Sequence, residues 1–165
     1  IRDGRGCMCL IGFIGSRRQV AGARRQAFSI LRKYRGVSLG RSMGEAWKRH
    51  RFKAPYLRNT LWNMGYAVDT VETAVTWDQV PAAMGALEAA IGGALAPWDE
   101  RVHLFTHLSH VYPTGSSIYT TFLFRIADTP EETLSRWRAI KTWASRAIVN
   151  NHGTCLLYTS PSPRD

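Results

Sequence analysis

Apolar positions change period several times along the chain, and each change marks an element. Residues 7–14, CMCLIGFI, are an almost continuous apolar run ending at Gly15-Ser16, which predicts a buried strand followed by a helix N-cap. From residue 17 to 34, Val20, Ala23, Ala27, Ile30 and Leu31 recur at three- and four-residue spacing, while Arg17, Arg18, Arg24, Arg25 and Arg32 fall elsewhere. That is an amphipathic helix, closed at Gly36. A loop containing Gly40 and Gly44 precedes a second helical stretch from about Glu45. PYLRNTLWNMG predicts a short helix with Pro55 in its first turn and Gly65 as its stop. YAVDTVETAVTW then alternates as a strand, with Val68, Thr70, Glu72 and Ala74 on one face and Asp69, Val71, Thr73 and Val75 on the other.

Trp77-Asp78 starts a further helix, with Val80, Met84, Leu87 and Ile91 as its apolar stripe. Residues 101–126 form two β-rich runs around Pro113-Thr114-Gly115, the punctuation of an antiparallel hairpin. Thr129-Pro130-Glu131-Glu132 opens a last helix, whose core face should be Leu134, Trp137, Ile140, Ala144 and Ala147 or Ile148. The order β, α, α, β, α, ββ, α points to an α+β fold, a ferredoxin-like antiparallel sheet with helices packed on one face. Residues 1–154 are expected to form one domain, cut at both ends. Residues 155–165, CLLYTSPSPRD, contain Pro161 and Pro163 and no periodicity, and read as a non-native tail that joins no sheet.

Composition narrows the class. A chain of 165 residues with 45% apolar and 21% charged positions is globular. It has no run of eighteen consecutive apolar residues, so a membrane-spanning helix is not expected, and the first residues do not read as a signal peptide. Cys7, Cys9 and Cys155 are too few for a disulfide framework, which fits a reducing, cytoplasmic setting. The net charge of +10 is lopsided: residues 1–58 hold 15 Lys and Arg against Asp3 and Glu45, and the remainder is net acidic. Such asymmetry suggests an anionic partner, although solvated helix faces account for part of it.

Few residues carry chemistry by pattern alone. His103, His107 and His110 have a spacing that would suit a metal on a helix; on a strand, alternation puts His110 on the opposite face unless a bulge intervenes. Polar strand residues are therefore the preferred reading. Tyr112 and Tyr119 flank the hairpin turn. A phenol is a weak acid, so its use as a base needs a nearby cation or an electron sink, and without one aromatic packing is favoured. Arg58 can fork two hydrogen bonds onto a phosphate, or can be a solvated charge on its helix. No GxGxxG, P-loop or nucleophile triad stands out.

Longer stretches say more. WKRHRFKAPYLRNTLWNMGYAVDTVETAVTW, then THLSHVYPTGSSIYTTFLFRIAD, then WRAIKTWASRAIVNNHGT resemble, in order and spacing, the C-terminal half of bacterial flavoproteins related to alkyldihydroxyacetonephosphate synthase (alkylglycerone-phosphate synthase), FAD-linked oxidases of the vanillyl-alcohol oxidase type. The resemblance covers residues 7–154. It implies a substrate cap that closes over the isoalloxazine ring of an FAD held mainly by another domain, with the flavin as electron sink. The implied reaction exchanges the acyl chain of acyl-dihydroxyacetone phosphate for a fatty alcohol, an ether lipid step without net oxidation.

By the same resemblance, Arg58 in PYLRN matches a substrate-positioning arginine, with Asn59 where the family usually has Asp. Tyr119 in GSSIYTTF matches the tyrosine that removes a proton from substrate. His110 stands where related oxidases begin a metal-binding histidine motif that is not kept here, so it is assigned to substrate binding and no metal is expected. A catalytic histidine run should follow Gly153-Thr154, where this chain reads CLLYTS, so the chain by itself is expected to be inactive. The resemblance further implies a bacterial cytoplasmic protein with peripheral membrane contact, homodimeric at full length. Two rival readings are an FAD-linked hydroxy-acid or alcohol oxidase of the same superfamily, and a basic module binding RNA or an anionic membrane. In the latter, Trp47, Phe52 and Tyr56 interleave with cations, but no RNP-type aromatic pattern lies on the strands, so nucleic acid is not an expected partner.

Overall fold

The computed structural model describes residues 7–155, and the chain divides into two compact units, Ile1–Pro55 and Tyr56–Asp165. In the first, helix α1 (Arg17–Lys33) starts where the sequence requires it: the Ser16 side chain accepts from the Gln19 backbone N–H, and the Gln19 side chain accepts from the Ser16 N–H at 2.9 Å. This reciprocal cap satisfies two orphan donors of the first turn. At the other end the Gly36 N–H reaches the Leu31 carbonyl at 2.8 Å, but the left-handed residue of that turn is Arg35, with φ of 63°. Helix α2 (Ser42–His50) begins three residues before Glu45, and a 3-10 turn, Arg51–Tyr56, takes up Pro55 ahead of the next helix.

The strand expected at residues 7–14 does not form. That segment is irregular and almost wholly exposed, and among the described residues no strand pairs with it. Apolar content alone cannot make a strand, because the backbone N–H and C=O groups need a ladder partner.

The second unit is built on one sheet. Helix α3 (Leu57–Asn63) stops at Gly65, whose φ of 84° turns the chain into β1 (Tyr66–Thr76) and whose carbonyl accepts from the Ile126 N–H. Helix α4 (Val80–Gly93) follows, then β2 (His103–Val111), β3 (Gly115–Arg125), α5 (Pro130–Asn150) and β4 (Thr154–Cys155). The strand order β2-β3-β1-β4, every pairing antiparallel, with α4 and α5 as crossovers, is the ferredoxin-like arrangement. The short β4 corrects the expectation that Cys155 stays out of the sheet: Thr154 pairs with Ala74 and Cys155 with Thr73, anchored by the Thr73 hydroxyl donating to the Thr154 carbonyl at 2.7 Å. Residues 156–165 of the presumed tail lie outside the described residues.

One sheet face is covered by α4 and α5, the other is open. Val71, Thr73 and Val75 of β1 and Ile118, Thr120, Phe122 and Phe124 of β3 are buried with Val80, Ala83, Leu87 and Ile91 of α4 and Ile140, Ala144 and Ile148 of α5. Val80–Trp98 is long and apolar enough by composition to cross a membrane, against the expectation that no such helix exists; here its apolar stripe packs into this core. On α5 the core face is rotated by one residue at its start. Thr133 is buried, hydrogen bonding to Thr129 and Ala127, while Leu134 is 44% exposed. The Thr129 hydroxyl accepts from the Glu132 N–H as N-cap and fixes that rotation.

Gly115 sets the hairpin entry. A Cβ there would meet the Val75 carbonyl oxygen and approach Thr76 Cα at 3.0 Å. Gly115→Ala should therefore destabilise the chain by about 1–3 kcal/mol, read as a lower urea midpoint at unchanged m-value.

Candidate functional site on the open face of the sheet

Register decides which side chains meet on the open face. Glu72 stands opposite Tyr119, and Tyr119 opposite His107, so all three project to one side of three adjacent strands. The imidazole of His107 lies against the Tyr119 ring, centroids 5.2 Å apart and planes tilted by 44°. Phe105 and His103 continue the row on β2, opposite Thr121 and Leu123.

A β-bulge completes the cluster. Leu108 pairs with Ile118 and His110 with Ser117, which leaves Ser109 as the extra residue. The bulge resets the alternation, so His110 faces the same side as His103 and His107. This corrects the expectation that His110 would point the other way, and the signal for it, one inserted residue, is invisible in a run of strand-formers. Sharing a face does not gather the histidines into a metal site: among the described residues no group of three His, Cys, Asp or Glu side chains converges.

Glu72, which sequence reasoning read only as a strand residue, lies at the centre. Its carboxylate reaches across β3 to accept the Ser109 hydroxyl at 2.7 Å, and His110 Nδ1 lies 3.6 Å from the same oxygen. The Glu72 side chain is only 14% exposed, whereas His110 is 63% exposed and stacks on Tyr112, centroids 6.3 Å apart. Tyr112 is in turn steadied by its carbonyl, which accepts from the Trp77 indole N–H at 3.0 Å.

Arg58 lies exposed on α3, and among the described residues no hydrogen bond or ion pair holds it or ties it to the Tyr119 cluster. Three residues further on, Leu61 lines a shallow cleft of about 450 Å³ together with His103 and Leu123 from the open face and the Glu100–Arg125 ion pair. Helix α3 thus borders the face that carries Tyr119, roughly 13 Å along β3 from Leu123 at ~3.3 Å per residue.

Chemically, the face offers a phenol, imidazoles and a sheltered carboxylate on a flat surface. Among the described residues there is no glycine-rich strand-to-helix turn of the kind that cradles a dinucleotide pyrophosphate.

Comparison with known proteins bears on the fold and the family. The chain is similar to the alkyldihydroxyacetonephosphate synthase of Dictyostelium discoideum, 28% identical over 70% of this chain and 19% of that protein. It is also similar to the enzyme of the same name from Trypanosoma brucei brucei, 23% identical over 88% of this chain and 24% of that protein. The chain therefore spans about a quarter or less of the length of these curated relatives. Two solved crystal forms of an alkyldihydroxyacetonephosphate synthase share the fold, with TM-scores of 0.68 and 0.63 at 21% identity, each covering 85% of this chain and 25% of theirs. The family described as FAD linked oxidases, C-terminal domain, matches residues 1–156, and the chain belongs to it.

Proposed function

We propose that this chain is the substrate-cap region of an FAD-dependent enzyme of the alkyldihydroxyacetonephosphate synthase type, exchanging the acyl chain of acyl-dihydroxyacetone phosphate for a fatty alcohol. The observation that carries the reading is Tyr119, held on the open sheet face against His107 and opposite a sheltered carboxylate. The names of both curated relatives support it.

FAD, when bound by the longer protein, supplies the electron sink that substrate deprotonation needs. Tyr119, entering the step as its phenolate, accepts the proton from the substrate carbon and leaves as the neutral phenol, with its ring fixed by the His107 contact. The Arg58 guanidinium, free to rotate on an exposed helix, clamps the substrate phosphate through two N–H donors. Asn59 stands where the family usually has a carboxylate, so the adjacent residue offers that guanidinium no anion to orient it.

A full-length protein carrying this domain tests the reading. Incorporation of labelled fatty alcohol without reduction of an electron-accepting dye is expected; dye reduction by hydroxy acids or alcohols with no incorporation would replace the synthase by an oxidase of the same family. In that protein, Arg58→Ala should lower kcat/KM by about 10–100-fold, mostly through KM for the phosphorylated substrate, since a hydrogen bond to a charged group contributes roughly 1.5–3 kcal/mol.

A further inference from the structure

The Ser109 hydroxyl has one proton to give, and its surroundings decide where that proton goes. Its Oγ lies 2.7 Å from Glu72 Oε1 and 3.2 Å from His110 Nδ1. An ionised carboxylate only accepts, so the hydroxyl donates to Glu72. With its proton so placed, Oγ can only accept from the imidazole, and His110 Nδ1 must carry a hydrogen. Glu72 cannot do this directly, because 3.6 Å between Nδ1 and Oε1 is too long for a hydrogen bond.

We propose that Glu72 is a positioning residue that acts through the Ser109 hydroxyl, holding His110 as its Nδ1–H tautomer and leaving Nε2 as an open proton acceptor on the face that carries Tyr119. The place of His110 in catalysis rests on the function proposed above; the tautomer does not. The bulge is what makes the relay possible. Ser109 is the extra residue, so its hydroxyl and the following imidazole serve one face of the sheet, where strict alternation would have separated them. Exposure follows the same division: the carboxylate is sheltered and the imidazole open to a ligand. Tyr112 stacks on the ring at an interplanar angle of 18° and limits its rotation. Of the other titratable groups on this face, His107 and Tyr119 contact each other, and His103 sets its ring edge-on against Phe105.

Long-range 15N–1H NMR of the 165-residue chain, above the pH at which the imidazole titrates, reads the tautomer without any enzyme assay. His110 is expected as Nδ1–H. Glu72→Ala frees the Ser109 hydroxyl to turn and donate to Nδ1, which converts His110 to Nε2–H; Ser109→Ala removes the link and shifts the ring the same way, and Ser109→Thr restores Nδ1–H. A chain in which His110 is Nε2–H from the outset, or in which neither Glu72→Ala nor Ser109→Ala moves the tautomer ratio, overturns the proposal. Its failure is separable from failure of the proposed function. Loss of the relay with alkyl exchange intact removes only Glu72, whereas a confirmed Nδ1–H tautomer in a protein lacking exchange activity removes the synthase reading and leaves the relay standing.

Discussion

Tyr119→Phe, placed in a full-length protein carrying this domain, is expected to lower the alkyl-exchange rate by about 10²–10⁴-fold, the usual contribution of a positioned acid or base. The substitution is selective. Phenylalanine keeps the ring and its contact with His107 and removes only the phenolic oxygen, which lies on the open face and away from the core. The unfolding free energy of the 165-residue chain should therefore change by no more than about 0.5 kcal/mol. Tyr112→Phe is the matched control: it preserves the stack on His110 and removes a hydroxyl to which no chemistry is assigned, so exchange should persist. Full activity in Tyr119→Phe would take the phenol out of the reaction and leave the open face as a binding surface only.

Phe122→Ala is expected to cost about 3–5 kcal/mol of stability, read as the shift in a urea or thermal unfolding curve. Phe122 is wholly buried, with its ring 6.3 Å from that of Phe124, and the core around it includes Leu87 and Ile91 of α4 and Ile140 of α5. Removing it leaves a void in a core built from both the sheet and the helices. Against a total stability of roughly 5–15 kcal/mol for an ordinary domain, that loss is large enough to populate unfolded chain. Leu134→Ala tests the helix rotation at the same time. Its position was expected in the core, yet the side chain is 44% exposed, and truncation should cost within about 0.5 kcal/mol.

Most of the second unit was legible because its elements are local. Alternation in β1, the stripe of Val80, Leu87 and Ile91 on α4, the Pro113–Gly115 punctuation of the hairpin and the acidic first turn of α5 each depend on residues within one element, and each stands where expected. The error at residues 7–14 has a different origin: the run is as apolar as many strands, but whether it becomes one depends on a pairing partner that composition cannot supply. The two-residue β4 failed in the opposite sense. Nothing in Thr154–Cys155 announces a strand, and its pairing follows from where α5 delivers the chain, beside the Thr73 hydroxyl.

By itself the sequence determined the helices and the three long strands of the second unit, the uneven charge and the wording that marks the family, all properties carried by short-range periodicity and residue identity. The tertiary structure alone decided that Glu72, His107, Ser109, His110 and Tyr119 share one face. They come from three strands, and their meeting depends on register and on a single inserted residue at Ser109. A one-residue shift in a pleated strand sends every side chain to the other side, so the composition of a site on a sheet is fixed by pairing, a long-range property with no local signature.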